Sequence, residues 1–203
     1  MLVIGITGNS GSGKSLACRK LEALGAKNLN ADEIYNDLLK PESPMMQQII
    51  CAFGNEYVNE EGTLNRRKMG QLIFSDKDKR NLLNRITHPG IVKEIQSRIT
   101  SMAAHKVRIV AVEAALLFES GMDKFMDEVW VIDATYEDKL KRIIRRDGLS
   151  MEEAAKRLLS QADPLDLRQN ASRYIVNDGS AAELEQIIEN ELNRLLKERH
   201  ITL

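Results

Sequence analysis

Gly8-Asn9-Ser10-Gly11-Ser12-Gly13-Lys14-Ser15 is the stretch whose reading decides the fold. It fits G-x-x-x-x-G-K-[ST] at every fixed position. A loop that wraps phosphates must turn tightly and aim consecutive N–H groups inward, and glycine permits the angles and leaves no Cβ in the way. The helix that begins beyond Gly13 brings its positive end to the phosphates. Lys14 reaches the β- and γ-phosphates as a mobile point charge, and the Ser15 hydroxyl is placed to hold Mg²⁺. A chance match anywhere in the chain has odds of roughly one in a hundred. The flanks decide against chance and against a plain turn with a solvated lysine. Leu2 to Thr7 is an apolar run suited to a buried strand, and Lys14 to Leu24 reads as a helix stopped by Gly25.

Outward from the loop, strand and helix patterns alternate. Ala26 to Asn30, Val107 to Val112, Glu128 to Asp133 and Arg173 to Asn177 read as further strands. Glu33 to Lys40 reads as a short helix ended by Pro41. Pro44 to His105 is helical without strand signals: Met45, Ile49, Ile50 and Phe53 form one helix stopped at Gly54, and Asn55 to Thr63 is turn-like. His88-Pro89 predicts a helix break with a new helix beyond it. Tyr136 to Arg146 is amphipathic, and Ser150 with Glu153 has capping-box spacing. Leu184 to Leu196 marks a terminal helix. This alternation predicts an α/β fold with a parallel sheet.

Composition narrows the function. The chain has 203 residues, with Lys plus Arg 29 and Asp plus Glu 30, a net charge of −1. That balance argues against a nucleic-acid binder. No window approaches the ~18 apolar residues of a membrane span, and Met1 to Gly5 has no basic n-region. Cys18 and Cys51 offer neither a disulfide framework nor zinc-site spacing, which fits a reducing, cytoplasmic setting. Guanine-reading NKxD, a DxxG switch and an LSGGQ-like signature are all missing. A small-molecule kinase is the reading that remains. Its rivals are a nucleoside or nucleotide kinase of another specificity and a nucleotide-binding regulator that transfers nothing.

Such a kinase needs an acceptor base, metal support and cations for developing charge. Asp32, just beyond the second strand, is placed either to take a proton from a hydroxyl nucleophile or to cap the helix from Glu33. Glu113 is either a metal-supporting carboxylate or simply the first polar residue after a strand. Arg142, Arg145 and Arg146 are either phosphate-closing cations or a solvated helix face. Arg66 and Arg67 bind acceptor phosphates or lie exposed. His88 alone reads first as structural.

Together these segments resemble the dephospho-coenzyme A kinase family. The likeness runs through Ile4 to Gly8, Gly11 to Ser15, Asn30-Ala31-Asp32, Gly62 to Arg66, His88-Pro89, Leu116 to Glu119, Arg142 to Arg146, Gln161, and Asn177 with Gly179. The resemblance implies a P-loop kinase fold with a five-stranded parallel sheet flanked by helices. It implies a core of 1–34, 106–135 and 172–203, a helical acceptor domain of about 35–105 and a lid of about 136–171. It also implies transfer of the ATP γ-phosphate to the ribose 3′-hydroxyl of dephospho-CoA. Asp32 matches the general base, and Arg142 and Arg146 look like the lid arginines. Gly8 and Gly11 to Leu16 match the ATP segment, while Asn177 lies where the family meets adenine. Arg66 and His88 are expected at the acceptor, and Ser15 and Glu113 at Mg²⁺. No nucleic acid or membrane partner is expected, and the chain is expected as a monomer or small homo-oligomer. Departures are Asn30 for the usual Asp, which removes a like charge near Asp32, Leu16 for Thr, Ala115 for Pro, and Glu113 for Asp.

Overall fold

The computed structural model describes residues 1–201. Five strands, β1 (Leu2–Thr7), β2 (Lys27–Asn30), β3 (Ile109–Glu113), β4 (Glu128–Asp133) and β5 (Arg173–Val176), form one parallel sheet in the order β2-β3-β1-β4-β5. β1 is central: Ile4 stands opposite Ala111 of β3 on one side and Glu128 of β4 on the other. Every residue of β1 and β3 is buried. Strands covered on both faces read as continuous apolar runs, which is why they were visible in the sequence.

The helices are α1 (Lys14–Ala23), α2 (Ala31–Leu38), α3 (Pro44–Phe53), α4 (Arg66–Ser75), α5 (Lys77–Ala104), α6 (Tyr136–Asp147), α7 (Met151–Leu159), α8 (Pro164–Asn170) and α9 (Ala181–Glu198). The chain divides into two compact units: residues 1–29 with the chain from Met102, and residues Asn30–Ser101. In the first unit α1 and α9 close one face of the sheet. Ala17, Cys18 and Leu21 of α1 and Leu184, Ile188, Leu192 and Leu195 of α9 pack on Ile4, Ile6, Ile109, Trp130 and Ile132. The hairpin of α6 and α7 has a small core of its own, Ile143, Ala154 and Leu158, sealed by Leu140, Ile144 and Leu149.

In the second unit α3, α4 and α5 bury Met45, Met46, Ile49, Phe53, Met69, Leu83, Ile91 and Ile95. Here one expectation fails: the helix does not break at His88-Pro89, and α5 runs through Pro89 without interruption. Thr87, Leu83, Ile91 and Ile95 are all buried, so packing on both sides of Pro89 holds the helix across the missing N–H. Bounds shift elsewhere. The helix expected from Glu33 begins at Ala31, because Asn30 is its cap. Glu113 is the last residue of β3, not the first beyond it. The turn-like stretch 55–63 holds a short 3₁₀ turn and an isolated bridge between Val58 and Leu64. Nothing in the sequence pattern announced α8 or the 3₁₀ turn Met122–Phe125.

Candidate functional site

The phosphate loop leaves β1 at Thr7 and turns at Gly8, whose φ of 141° suits glycine alone. A Cβ at Gly8 would stand 2.0 Å from the carbonyl oxygen of Ile132, so the turn is also sterically closed to any other residue. Gly13 is the same case, with φ of 112° and a Cβ position 2.4 Å from Asn177 Nδ2. Gly13 caps α1 and contributes no side chain to its first amides. Lys14 spans the loop: its Nζ donates to Gly8 O at 2.8 Å and Asn9 O at 3.2 Å.

Ser15 Oγ donates to Glu113 Oε1 at 2.7 Å, uniting the two residues expected at a metal. Glu113 is 8% exposed at the carboxyl end of β3, beside β1. Cys18, one turn along α1 from Ser15, is buried against them. Burial pushes its thiol well above the ordinary range, and the charge and hydrogen bond of Glu113 add to that push. Cys18 is therefore an inert neighbour of the carboxylate, not a nucleophile.

Asn177 and Arg142 meet on the far side of the loop. Asn177 Nδ2 donates to Ser12 O at 2.7 Å. Arg142 donates to Gly11 O at 3.2 Å, Ser12 O at 3.4 Å and Asn177 O at 3.2 Å. Its guanidinium braces main-chain carbonyls. Arg146 instead grips Asp147 through Nε and Nη2 at 2.7 and 2.8 Å, and Arg157 joins the same carboxylate. Those hydrogen bonds, Arg146 foremost, hold Asp147 below the usual carboxylate range. Arg145 is exposed. Nothing in the spacing of Arg157 distinguishes it in the sequence from a surface charge.

Lys139 is a second surprise. Buried on α6, it donates to Asp133 Oδ1 at 2.8 Å, while Tyr174 OH donates to Oδ2. Burial pulls the Asp133 carboxyl upward, and the bonds from Lys139, Tyr174 and the Ala134 amide outweigh it, so its value falls below the ordinary one. The Tyr174 phenol is pushed up to about 12, by burial first and then by Asp133, and remains a donor at neutral pH.

In the second unit Asp32 is the second residue of α2. Asn30 Oδ1 accepts from the amides of Asp32 and Glu33 at 2.8 and 3.3 Å, so the capping duty belongs to Asn30 and the Asp32 carboxylate is not used for it. Helical spacing sets Asp32 on the face of Asn36, and Asn36 Oδ1 accepts from Arg66 Nη2 at 2.6 Å. Asn36 and Arg66 line a cavity of about 450 Å³ with Lys40, Asn59, Thr63 and Leu64. Tyr35 is raised by burial, with Arg66 opposing. His88, half-buried on α5, is not among the cavity's lining residues.

The first unit thus carries the phosphate loop with its lysine and the Ser15–Glu113 pair, and the second carries Asp32 and, beside a cavity, Arg66. Comparison with known proteins gives that arrangement a family. The family model described as dephospho-CoA kinase matches residues 2–183. A dephospho-CoA kinase of Carboxydothermus hydrogenoformans is 35% identical over 188 residues, covering 92% of this chain and 91% of the relative. One of Moorella thermoacetica is 38% identical, covering 88% and 85%. The solved dephospho-CoA kinase of Campylobacter jejuni superposes with a TM-score of 0.70 at 29% identity, covering 97% of this chain and 98% of that one. A shikimate kinase of Acinetobacter baumannii, at 19% identity and a TM-score of 0.58, shares the fold alone. With an intact phosphate loop at its centre and likeness along nearly its whole length, this chain belongs to the dephospho-CoA kinase family.

Proposed function

We propose that this kinase transfers the γ-phosphoryl group of ATP to the ribose 3′-hydroxyl of dephospho-CoA, giving CoA and ADP. The observation that carries the reading is the phosphate loop with its Lys14 and its Ser15–Glu113 pair, in a chain of this family. Loop amides and Lys14 hold the phosphate tail and offset its charge. The Asp32 carboxylate takes the 3′-hydroxyl proton as that oxygen bonds to the γ-phosphorus and the bond to the β-phosphate oxygen breaks. Arg142 holds the loop and Asn177 in register, and Arg146 and Arg157 belong to the element that closes. Residues 136–171 act as that lid, 35–105 carry the acceptor and the remainder forms the core. The helical packing of Asn30–Ser101 as its own unit supports the acceptor role.

Mg²⁺ belongs to the same proposal. The Ser15 hydroxyl and Glu113 carboxylate, 2.7 Å apart, are hard oxygen donors of the kind Mg²⁺ takes in small number beside phosphate and water. Among the described residues no cluster of three or more His, Cys, Asp or Glu could hold a metal alone, which fits a cation shared with the substrate. When bound, Mg²⁺ neutralises charge on the β- and γ-oxygens. A cytoplasmic setting completes the reading. It is supported by two free cysteines and by the lack, among the described residues, of a helix long and apolar enough to cross a membrane.

The test is acceptor-dependent ADP release, with nucleosides and nucleotides as alternative acceptors and mass spectrometry of the product. Asp32→Asn should keep ATP affinity and lose kcat by about 10²–10⁴. Near-native turnover would remove Asp32 from the mechanism, and ADP release unaffected by dephospho-CoA would remove the substrate.

A further inference from the structure

Four consecutive residues of the phosphate loop are bonded to the α6–α7 hairpin and its exit. Asn9 Nδ2 donates to Ala162 O at 3.1 Å. The Ser10 amide donates to Gln161 Oε1 at 2.9 Å, and Gln161 Nε2 donates to Ser10 Oγ at 3.0 Å. Gly11 O and Ser12 O accept from Arg142. Arg142 touches carbonyls only, so Gln161 is the group that bonds a loop amide. Because a main-chain N–H can only donate, the oxygen end of the Gln161 amide must face it. The nitrogen end is then left for the Ser10 hydroxyl. A neutral carboxamide satisfies both at once and brings no charge to a loop that must receive a polyanion.

Gln161 stands between α7 and α8, outside either helix. The hairpin has its own small core, separate from that of the sheet, so its side-chain ties to the loop govern how firmly the two are registered. From this geometry we infer that Gln161 is a positioning residue for ATP. By fixing Ser10 from outside, it preorganises the inward amides of Gly11 to Ser15 and couples the hairpin's order to the loop's. An ordered loop binds phosphates without first losing freedom, so the tie acts on nucleotide affinity more than on the chemical step.

This rests on residues 8–15 binding ATP, and the experiment separates the two claims. ATP binding is measured by calorimetry without acceptor, beside steady-state kinetics, melting temperature and limited proteolysis of the hairpin. Gln161→Ala should weaken ATP binding and raise its KM about tenfold, loss of the pair of bonds to Ser10. Acceptor KM and melting temperature should hold, and cleavage within 149–163 should speed up. Gln161→Glu lets the Ser10 amide and a rotated Ser10 hydroxyl both donate. It should restore protease resistance and, carrying a charge toward the triphosphate, leave ATP affinity low. A purely structural role would not split these readouts.

ATP binding unchanged in folded Gln161→Ala overturns the inference, as does an equal fall in every constant together with the melting temperature. If the wild-type chain binds no ATP, the phosphate-loop reading itself fails. Should Gln161→Ala not fold, Ser10→Ala decides, because it removes only the hydroxyl: a two- to threefold loss of ATP affinity supports the role and no loss overturns it.

Discussion

Single residues carry most of what could be read in advance. Gly8 and Gly13 are fixed by angle and space, Lys14 and Ser15 by chemistry, so the loop was legible from eight letters. Partners far along the chain were not. Ser15 meets Glu113 across 98 positions and Gln161 meets Ser10 across 151, distances that no local pattern encodes. The hydroxyl of Ser12 was equally hidden. Fully buried, it is one of two buried side-chain polar atoms among the described residues that lack a hydrogen-bond partner. An unsatisfied hydroxyl costs about 1–3 kcal/mol. Ser12→Ala should therefore raise the melting temperature by roughly 2–12 °C, and a lowered melting temperature would show that the hydroxyl has a role. His88 gives a pH signature. Burial holds it below its ordinary 6.5, so folding favours the neutral ring. Stability is whole above that value and declines as pH falls below it, because the unfolded chain takes up the proton first. Melting from roughly pH 7.5 to 5.5 should show that slope, and His88→Gln should flatten it; an unchanged slope assigns the dependence elsewhere.

At the level of elements, periodicity and the Ser150–Glu153 cap were reliable, while the Asp32 cap and a single breaker were not. Ser150 and Ser180 both form capping boxes, and Ser43 accepts the Met46 amide ahead of Pro44. These are local rules obeyed locally. Pro89 obeys no local rule: α5 continues through it because burial of Leu83, Thr87, Ile91 and Ile95 outweighs one lost bond. The proline itself is exposed, so Pro89→Ala should restore an N–H to the Arg85 carbonyl without a clash. The variant should gain about 1–3 kcal/mol in urea unfolding. A loss would mean that the native packing around α5 depends on the proline ring. α8, at seven residues, was missed because so short a helix is set by its capping Asp163 and by Leu167 docking, not by a period.

Across the whole molecule, the β5 edge of the sheet is clasped by charge where the strand begins. Arg173 opens β5 at 8% exposure and bonds Glu128 of β4 with Glu191 and Glu198 of α9, above the ring of Trp130 at 5.9 Å. Removing one side of a buried ionic group leaves the other uncompensated. Arg173→Ala should cost about 3 kcal/mol, read by denaturation through the fluorescence of Trp130, the chain's one tryptophan. Little loss would mark the clasp as dispensable. The strand order has a different consequence, in time. β1 pairs only with β3 and β4, whose first residues lie about a hundred positions later. On a ribosome adding ~5–20 residues per second, that apolar first segment waits roughly 5–20 s for a mate. Residues 30–101 emerge throughout the delay, so the nascent chain must keep β1 from aggregating until β3 has been made.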